Sequence, residues 1–162
     1  MATNALCPCH SNQPYATCCE PFHLAKATAP TPEAMMRSRY AAFAKKLVPY
    51  LYETFHSTHE DRALPRAEVL RALRQASDGY RYMGLRIVQS RENEDSTVGW
   101  VLFVAKLFER GSDRSFVELS EFRREDGAWR YVDGRTAPLT MLKSKLDELT
   151  IDNFPVKSTR AS

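Results

Sequence analysis

All four cysteines of this 162-residue chain lie close together near its N-terminus. Cys7 and Cys9 form one pair, Cys18 and Cys19 form a second, and the rest of the chain contains no cysteine. Zinc binds four soft ligands in a tetrahedron, and two close pairs joined by a short loop can surround one ion. Because four thiolates leave no coordination position open, the spacing predicts one structural zinc ion.

Disulfides and reactive thiols are the alternatives to this metal site. Disulfides require an oxidising compartment, which nothing in the sequence indicates. Adjacent cysteines rarely satisfy disulfide geometry, so only pairings between the two cysteine pairs would be feasible. His10 and His23 are further candidate ligands, although four cysteines already complete the shell.

A second group of candidate residues lies in residues 116–124, where alternating polarity predicts a β-strand. Glu118 and Ser120 share one face of this strand with Phe116 and Phe122. A carboxylate between aromatic side chains is partly buried, and burial raises its pKa unless a cation compensates. Glu118 is therefore the candidate titratable group of the predicted sheet.

Arg39 is the candidate cation. At about 100° per residue it falls at the edge of the apolar stripe of a predicted helix, within reach of Glu118 across the helix–sheet interface. The favoured interpretation is a buried Arg39–Glu118 ion pair that fixes the helix on the sheet. The alternative makes Glu118 a general base or substrate anchor, with Tyr131 or Arg39 polarising a carbonyl group.

A further predicted strand, over residues 128–133, places Trp129, Tyr131 and Asp133 on one face. We expect the two aromatic side chains to join the core and Asp133 to end the strand in a turn. His56 and His59 are interpreted as loop residues without a metal partner. The candidate binding residues are Arg39, Tyr40, Glu118, Ser120, Trp129 and Tyr131.

Hydrophobic periodicity places these residues on two helices followed by four strands. The first helix begins after the N-cap Thr31 and runs to about residue 46, with a second piece past a kink at Pro49. Short turns between the strands predict an antiparallel meander, and hence an α+β fold with helices packed on a curved antiparallel sheet. The other predicted elements are a helix over residues 65–76 and strands over residues 80–90, 98–109, 116–124 and 128–133.

Two of these strands have informative faces. Met83, Leu85 and Ile87 alternate on one face of the first strand. The strand over residues 98–109 is apolar on both faces, which is typical of a central strand covered twice.

The composition excludes several classes of protein. The chain carries 23 basic and 20 acidic residues, and a net charge of +3 is too small for a dedicated nucleic-acid or membrane-surface protein. A nucleic-acid or ribosome contact therefore remains only a minor alternative. The longest apolar run, residues 98–105, is too short to span a bilayer. The N-terminus shows no secretory signal, so we expect a cytoplasmic location.

The cysteine segment resembles the SEC-C motif, a short zinc-binding module. His10 and Asn12 stand where the motif has glycines, and asparagine tolerates the left-handed conformation better than most residues. The resemblance implies a zinc knuckle that acts as a protein-interaction module. The matching residues are Cys7, Pro8, Cys9, Ser11, Tyr15, Cys18 and Cys19.

The whole chain resembles the YchJ family (UPF0225), in which a SEC-C motif precedes a nuclear transport factor 2-like, or cystatin-like, domain. This resemblance implies a pocketed scaffold that could take a small-molecule ligand and form a homodimer through its sheet. It implies no established activity, and an enzyme of the ketosteroid isomerase type with Glu118 as base is the alternative. The residues that carry the resemblance are Met36, Arg37, Ser38, Arg39, Tyr40, Ala42, Phe43, His56, Glu118, Ser120, Phe122, Gly127, Trp129, Tyr131, Val132, Asp133 and Gly134.

Four parts of the chain follow from these patterns. The SEC-C-like motif covers residues 1–24, and a linker rich in alanine, threonine and proline covers residues 25–32. The nuclear transport factor 2-like domain covers residues 33–135, and a C-terminal extension covers residues 136–162. We expect a short helix over residues 139–149 of this extension and loose order after it.

Overall fold

The computed structural model describes residues 5–154, and within that range every side chain except those of residues 143–145. Short helices flank one antiparallel sheet. The helices are α1 (Glu20–His23), α2 (Pro32–Ala44), α3 (Val48–Glu53), α4 (Arg66–Asp78) and α5 (Leu139–Leu142). The strands are β1 (Arg81–Glu92), β2 (Val98–Glu109), β3 (Ser112–Asp113), β4 (Phe116–Glu125) and β5 (Ala128–Pro138).

The start of α2 follows the sequence prediction. The Thr31 hydroxyl accepts a hydrogen bond from the Ala34 N–H at 3.0 Å, and Pro32 occupies the first turn, where its missing N–H costs nothing. The break comes earlier than predicted. Lys46 has a positive φ of 60°, which ends the helical path, and Pro49 lies in the first turn of the separate helix α3.

The sheet is the predicted meander, with strand order β1-β2-β4-β5 and all pairs antiparallel. Asp126 and Gly127 both have positive φ in the β4–β5 hairpin, as a tight two-residue turn requires. One face of β1 differs from the prediction. A register shift between Tyr82 and Gly84 leaves Met83 53% exposed, while Leu85 and Ile87 pack inward.

Both faces of the central strand β2 are covered, as its sequence predicts. We call the sheet face under α2 the pocket face, and it buries Val101, Phe103 and Ala105. The opposite side, the back face, buries Leu102 and Val104. The residues that cover the back face come from the C-terminal part of the chain and include Leu142, Leu149, Ile151 and Phe154.

The C-terminal part is more ordered than predicted. The helical segment consists of α5 and a 3-10 helix over Lys143–Glu148. Ile151 and Phe154 are buried, so the expectation of loose order from residue 150 onward is wrong up to Phe154. Residues 155–162 lie outside the described residues.

A bulge in β5 corrects two further predictions. Glu121 pairs with Asp133 and Phe122 pairs with Tyr131, so Val132 is an extra residue on β5. The strand continues to Pro138 instead of ending in a turn at Asp133. Because the bulge shifts the alternation, Asp133 does not share the face of Tyr131.

Candidate functional site

The four cysteines form one cluster. Their Sγ atoms all lie within 4.8 Å of one another. Cys18 Sγ lies 3.6 Å from Cys9 Sγ and 3.9 Å from Cys19 Sγ. A tetrahedral zinc ion with Zn–S bonds of about 2.3 Å separates its sulfur ligands by about 3.8 Å. The cluster therefore has the dimensions of a four-thiolate metal site.

The electrostatics of the cluster also favour a cation. Cys7, Cys9 and Cys19 are buried. Contacts with Cys19 and Cys7 lower the pKa of the Cys9 thiol, while contacts with Cys7 and Cys9, together with burial, raise that of Cys19. Four thiolates held this close together would repel one another, and a divalent cation would remove this cost because a coordinating thiol is deprotonated.

Two residues of the loop between the cysteine pairs have the left-handed backbone conformation. His10 and Asn12 have φ values of 61° and 66°, the left-handed conformation in which the SEC-C motif has glycine. The His10 ring meets the Tyr40 ring edge-on, with centroids 5.8 Å apart, so it does not join the cysteine cluster.

His23 connects the cysteine cluster to α2. Its Nε2 donates to the Ser38 carbonyl at 2.8 Å, and its Nδ1 accepts from the Tyr15 hydroxyl at 2.7 Å. Burial lowers the pKa of His23, which favours the neutral ring that this hydrogen-bond pattern requires. Because both ring nitrogens are engaged, His23 acts as a structural bridge and not as a metal ligand.

The cysteine segment, residues 5–24, packs directly against α2. Ala41 is fully buried against Cys7, Cys9 and Cys19, and Arg37 Nη1 donates to the Cys9 carbonyl at 3.0 Å. The predicted linker is also packed: Ala29 is buried in the main core. Residues 5–24 and the domain that follows therefore share an interface in the described structure.

A cavity of about 260 Å³ lies between α2 and the pocket face of the sheet. Its walls are mainly aromatic and aliphatic, and its polar side chains include Arg39, Glu118, Ser120 and Tyr131. The remaining lining residues are Met36, Tyr40, Phe43, Ala76, Tyr80, Tyr82, Phe103, Ala105, Leu107, Phe116 and Phe122.

Glu118 is held through one of its two carboxylate oxygens. Its Oε2 accepts hydrogen bonds from the Ser120 hydroxyl and, at 3.2 Å, from the Tyr131 hydroxyl. Within the described residues Oε1 has no hydrogen-bond partner. Burial raises the pKa of Glu118, although the hydrogen bonds from Ser120 and Tyr131 and the charge of Arg39 act in the opposite direction.

Arg39 does not form the predicted ion pair with Glu118. Its Nη1 donates to the Leu51 carbonyl at 2.8 Å and to the Thr54 hydroxyl at 2.5 Å. Its Cζ lies 4.6 Å from the centroid of the Tyr131 ring, a cation–π contact. The acceptors for the guanidinium group are a backbone oxygen of α3 and a hydroxyl oxygen just after it. The periodicity of α2 could not predict these partners, because they lie on another element.

Gly134 is a site residue that the sequence analysis missed. It pairs with Ser120 across the β4–β5 ladder. A Cβ atom there would overlap the Tyr131 hydroxyl and the Glu118 carboxylate. A glycine inside a strand indicates a close approach by neighbouring atoms, but the predicted strand ended at residue 133, which hid this signal.

The structure separates the other candidate residues. Tyr40 lines the cavity, whereas Trp129 is fully buried in the core and is absent from the cavity wall. His56 and His59 also lie outside that wall. His56 Nδ1 contacts the Thr58 hydroxyl at 2.8 Å, and the His59 ring stacks on another aromatic side chain.

These features define a protein with a SEC-C-type cysteine cluster docked on a nuclear transport factor 2-like domain. Sequence models of the SEC-C motif and of the YchJ middle NTF2-like domain match residues 4–21 and 31–134. The chain belongs to the YchJ family. It is 36% identical over 129 residues to UPF0225 protein YchJ of Shigella dysenteriae, a match covering 80% of this chain and 82% of the relative.

Solved structures share the fold of this chain. A SEC-C motif containing protein from Rhodopseudomonas palustris is 33% identical and superposes with a TM-score of 0.71 over 81% of this chain and 98% of its own. A SEC-C motif containing protein from Psychrobacter arcticus superposes with a TM-score of 0.68 at 22% identity, over 82% of each chain. A domain with a cystatin-like fold from Nostoc punctiforme gives 0.52 at 16% identity over 74% of this chain and 85% of its own. No helix in residues 5–154 is long and apolar enough to cross a membrane.

Proposed function

We propose that this protein is a zinc-stabilised binding protein for a small molecule. In this proposal the four cysteines hold one structural zinc ion, and the cavity under α2 takes the ligand. The observation that carries the proposal is Glu118, a carboxylate that is fixed through Oε2 and lines an aromatic cavity.

The placement of this carboxylate supports a ligand site. Burial of a charged group costs free energy, and no ion pair offsets that cost for Glu118 in the described structure. A cavity with apolar walls and a few convergent polar groups is typical of small-molecule sites. A titratable residue with a shifted pKa in such a cavity is a functional candidate.

Metal analysis tests the zinc part. Protein purified under reducing conditions should contain about one zinc per chain, because the four Sγ atoms fit one tetrahedral ion. The double variant Cys18→Ser, Cys19→Ser should lose it. A zinc content well below one per chain in the unaltered protein contradicts the proposal.

Occlusion of the cavity tests the ligand part. Ala76 is exposed on α4 and lines the cavity mouth, so Ala76→Trp should fill the mouth without disturbing the core. Arg74→Trp, at an exposed position on the other side of the same helix and outside the cavity wall, is the matched control. We expect 2-naphthol binding, followed by its fluorescence, to be lost only in Ala76→Trp. Equal binding by both variants places the ligand elsewhere.

Proton transfer is a second candidate function, and it is favoured because both described hydrogen bonds to the Glu118 carboxylate go to Oε2. Arg39 does not lock this carboxylate, so it can act as a general base toward an acidic C–H group in the cavity. Wild-type protein should accelerate deuterium exchange into 2-tetralone, measured by NMR. Glu118→Gln should abolish the acceleration and Glu121→Gln, on the same strand, should retain it. Exchange at the buffer rate with wild-type protein rules this function out.

A protein partner for the cysteine segment is supported by two exposed apolar side chains. Leu6 and Leu24 are 62% and 54% exposed beside the cluster. We expect partners recovered with wild-type protein to be lost with the double variant Leu6→Asn, Leu24→Asn, which should keep its zinc. An unchanged partner set contradicts this role.

A further inference from the structure

We infer that the cavity under α2 selects an uncharged compound of one or two flat rings that carries a hydrogen-bond donor such as a hydroxyl group. This inference rests on the proposed function, because it specifies the ligand class of the same cavity.

The charges of the cavity disfavour ionised ligands. Arg39 and Glu118 both line it, and they lie on either side of Tyr131. The Arg39 guanidinium stacks on the Tyr131 ring at 4.6 Å, and the Tyr131 hydroxyl donates to Glu118. A cationic ligand near Glu118 would also face Arg39, and an anionic ligand near Arg39 would face Glu118. Neither sign of charge therefore gains enough attraction to offset its desolvation.

The hydrogen-bonding groups of the cavity call for a donor on the ligand. The hydroxyl protons of Ser120 and Tyr131 are both directed at Glu118 Oε2. Burial and then the nearby Glu118 charge raise the pKa of Tyr131, so its hydroxyl keeps the proton. Oε1 of Glu118 accepts no hydrogen bond from residues 5–154 as the structure describes them, and a ligand hydroxyl can donate one to it.

The walls favour flat rings of limited size. The rings of Phe103 and Phe116 meet edge-on, with centroids 6.2 Å apart, and Phe43 stacks near Tyr82 with centroids 6.4 Å apart. Aromatic ligands pack well on such surfaces. At about 260 Å³ the cavity is smaller than the roughly 300–1,000 Å³ of drug-sized sites, so it suits one or two rings.

The experiment compares four compounds with the same bicyclic body. Naphthalene, 2-naphthol, 2-naphthoate and 2-naphthylmethylammonium are titrated into the full-length protein at pH 8, with binding followed by calorimetry or ligand fluorescence. We expect 2-naphthol to bind about tenfold or more tightly than naphthalene, since a buried charged acceptor discriminates strongly for a donor. Both charged compounds should bind more weakly than 2-naphthol.

Two variants assign the selectivity to one atom. Glu118→Gln should present an amide N–H₂ group to the cavity, so the preference for 2-naphthol over naphthalene should fall to about threefold or less. Naphthalene affinity should change little. Glu121→Gln, also on β4 but outside this cavity, should keep the wild-type preference.

The outcomes separate this inference from the proposed function. If naphthalene binds as tightly as 2-naphthol, or if a charged compound binds more tightly, the ligand class is wrong while the binding cavity stands. If none of the four compounds binds, both proposals fail. A preference for 2-naphthol that survives in Glu118→Gln also overturns the inference.

Discussion

At the scale of single residues, the polar end of the cavity depends on three side chains and one absent side chain. Glu118 receives two hydrogen bonds on one oxygen, from Ser120 and Tyr131. Gly134 leaves the space in which Tyr131 and Glu118 meet. The arrangement is therefore sensitive to changes of a single methyl group.

Gly134→Ala should disturb both neighbours of this glycine. The added Cβ would overlap the Tyr131 hydroxyl and the Glu118 carboxylate, so we expect a loss of about 1–3 kcal/mol in the free energy of unfolding. Urea denaturation measures this change, and 2-naphthol binding should weaken in parallel. The control is Gly84→Ala, whose Cβ would meet only the Lys106 side chain at ordinary distances. Equal stability of the two variants contradicts the prediction.

Glu118→Gln should become more stable relative to wild type as the pH rises. Burial raises the pKa of Glu118 above its ordinary value of 4.5, so the folded state holds this proton more tightly than the unfolded state. The contribution of the Glu118 proton to the wild-type free energy of unfolding is fully present below pH 4.5. It declines as the pH rises through the folded-state pKa. Unfolding measured at several pH values between 4 and 8 follows the difference, and Glu121→Gln corrects for removal of a carboxylate. A stability difference between Glu118→Gln and wild type that does not change with pH would falsify the raised pKa of Glu118.

The residues of the cysteine cluster, and those on the face of β4 that carries Glu118, were predictable from the sequence. The residues that contact them were not. Cysteine spacing is local in sequence, and alternation along β4 places Glu118 and Ser120 together. The partners of Arg39 come from α3, and the Tyr131 ring separates Arg39 from Glu118. Such contacts depend on how the elements pack against one another. The spacing of residues along a single strand or helix carries no information about that packing.

At the scale of elements, helix α2 contacts the cysteine segment on one side and lines the cavity on another. Arg37, Ser38 and Ala41 contact the cysteine segment. Arg39 and Tyr40 line the cavity on another side. The position of this one helix therefore links the cysteine cluster to the cavity wall.

Ala41→Leu should loosen the cysteine segment. Ala41 is fully buried against the cluster, so a larger side chain forces the two elements apart at a cost of about 1–3 kcal/mol. Zinc release to a colorimetric chelator should be faster than from wild type. Ala44→Leu, at the half-exposed end of α2, is the control. Equal release rates from the two variants would show that this contact does not hold the segment.

Element types were predictable from periodicity, and irregularities were not. The N-cap Thr31 and the hairpin turn at Asp126 and Gly127 carry local chemical signals, and both are found in the structure. The bulge at Val132 has no such signal, because it depends on how β5 pairs with β4. That single extra residue moved Asp133 off the predicted face.

At the scale of the whole molecule, the cysteine segment and the domain form one packed unit in the described structure. Removal of zinc should therefore affect more than residues 5–24. We expect amide hydrogen exchange to quicken in the cysteine segment and in α2, because α2 loses the contacts of Arg37, Ser38 and Ala41. Exchange in β4 should stay slow, and added zinc should restore protection. Unchanged exchange in α2 after chelation contradicts this coupling.

The covered back face has a consequence for the solubility of the isolated chain. Leu102, Val104 and Val117 would form a contiguous exposed apolar patch without the C-terminal segment that carries Ile151 and Phe154. A variant that ends at Pro138 should therefore aggregate or pair through this patch, with a larger sedimentation coefficient that rises with concentration. A variant lacking only residues 155–162 should sediment as the full chain does, because the segment that shields the sheet from neighbouring molecules is intact.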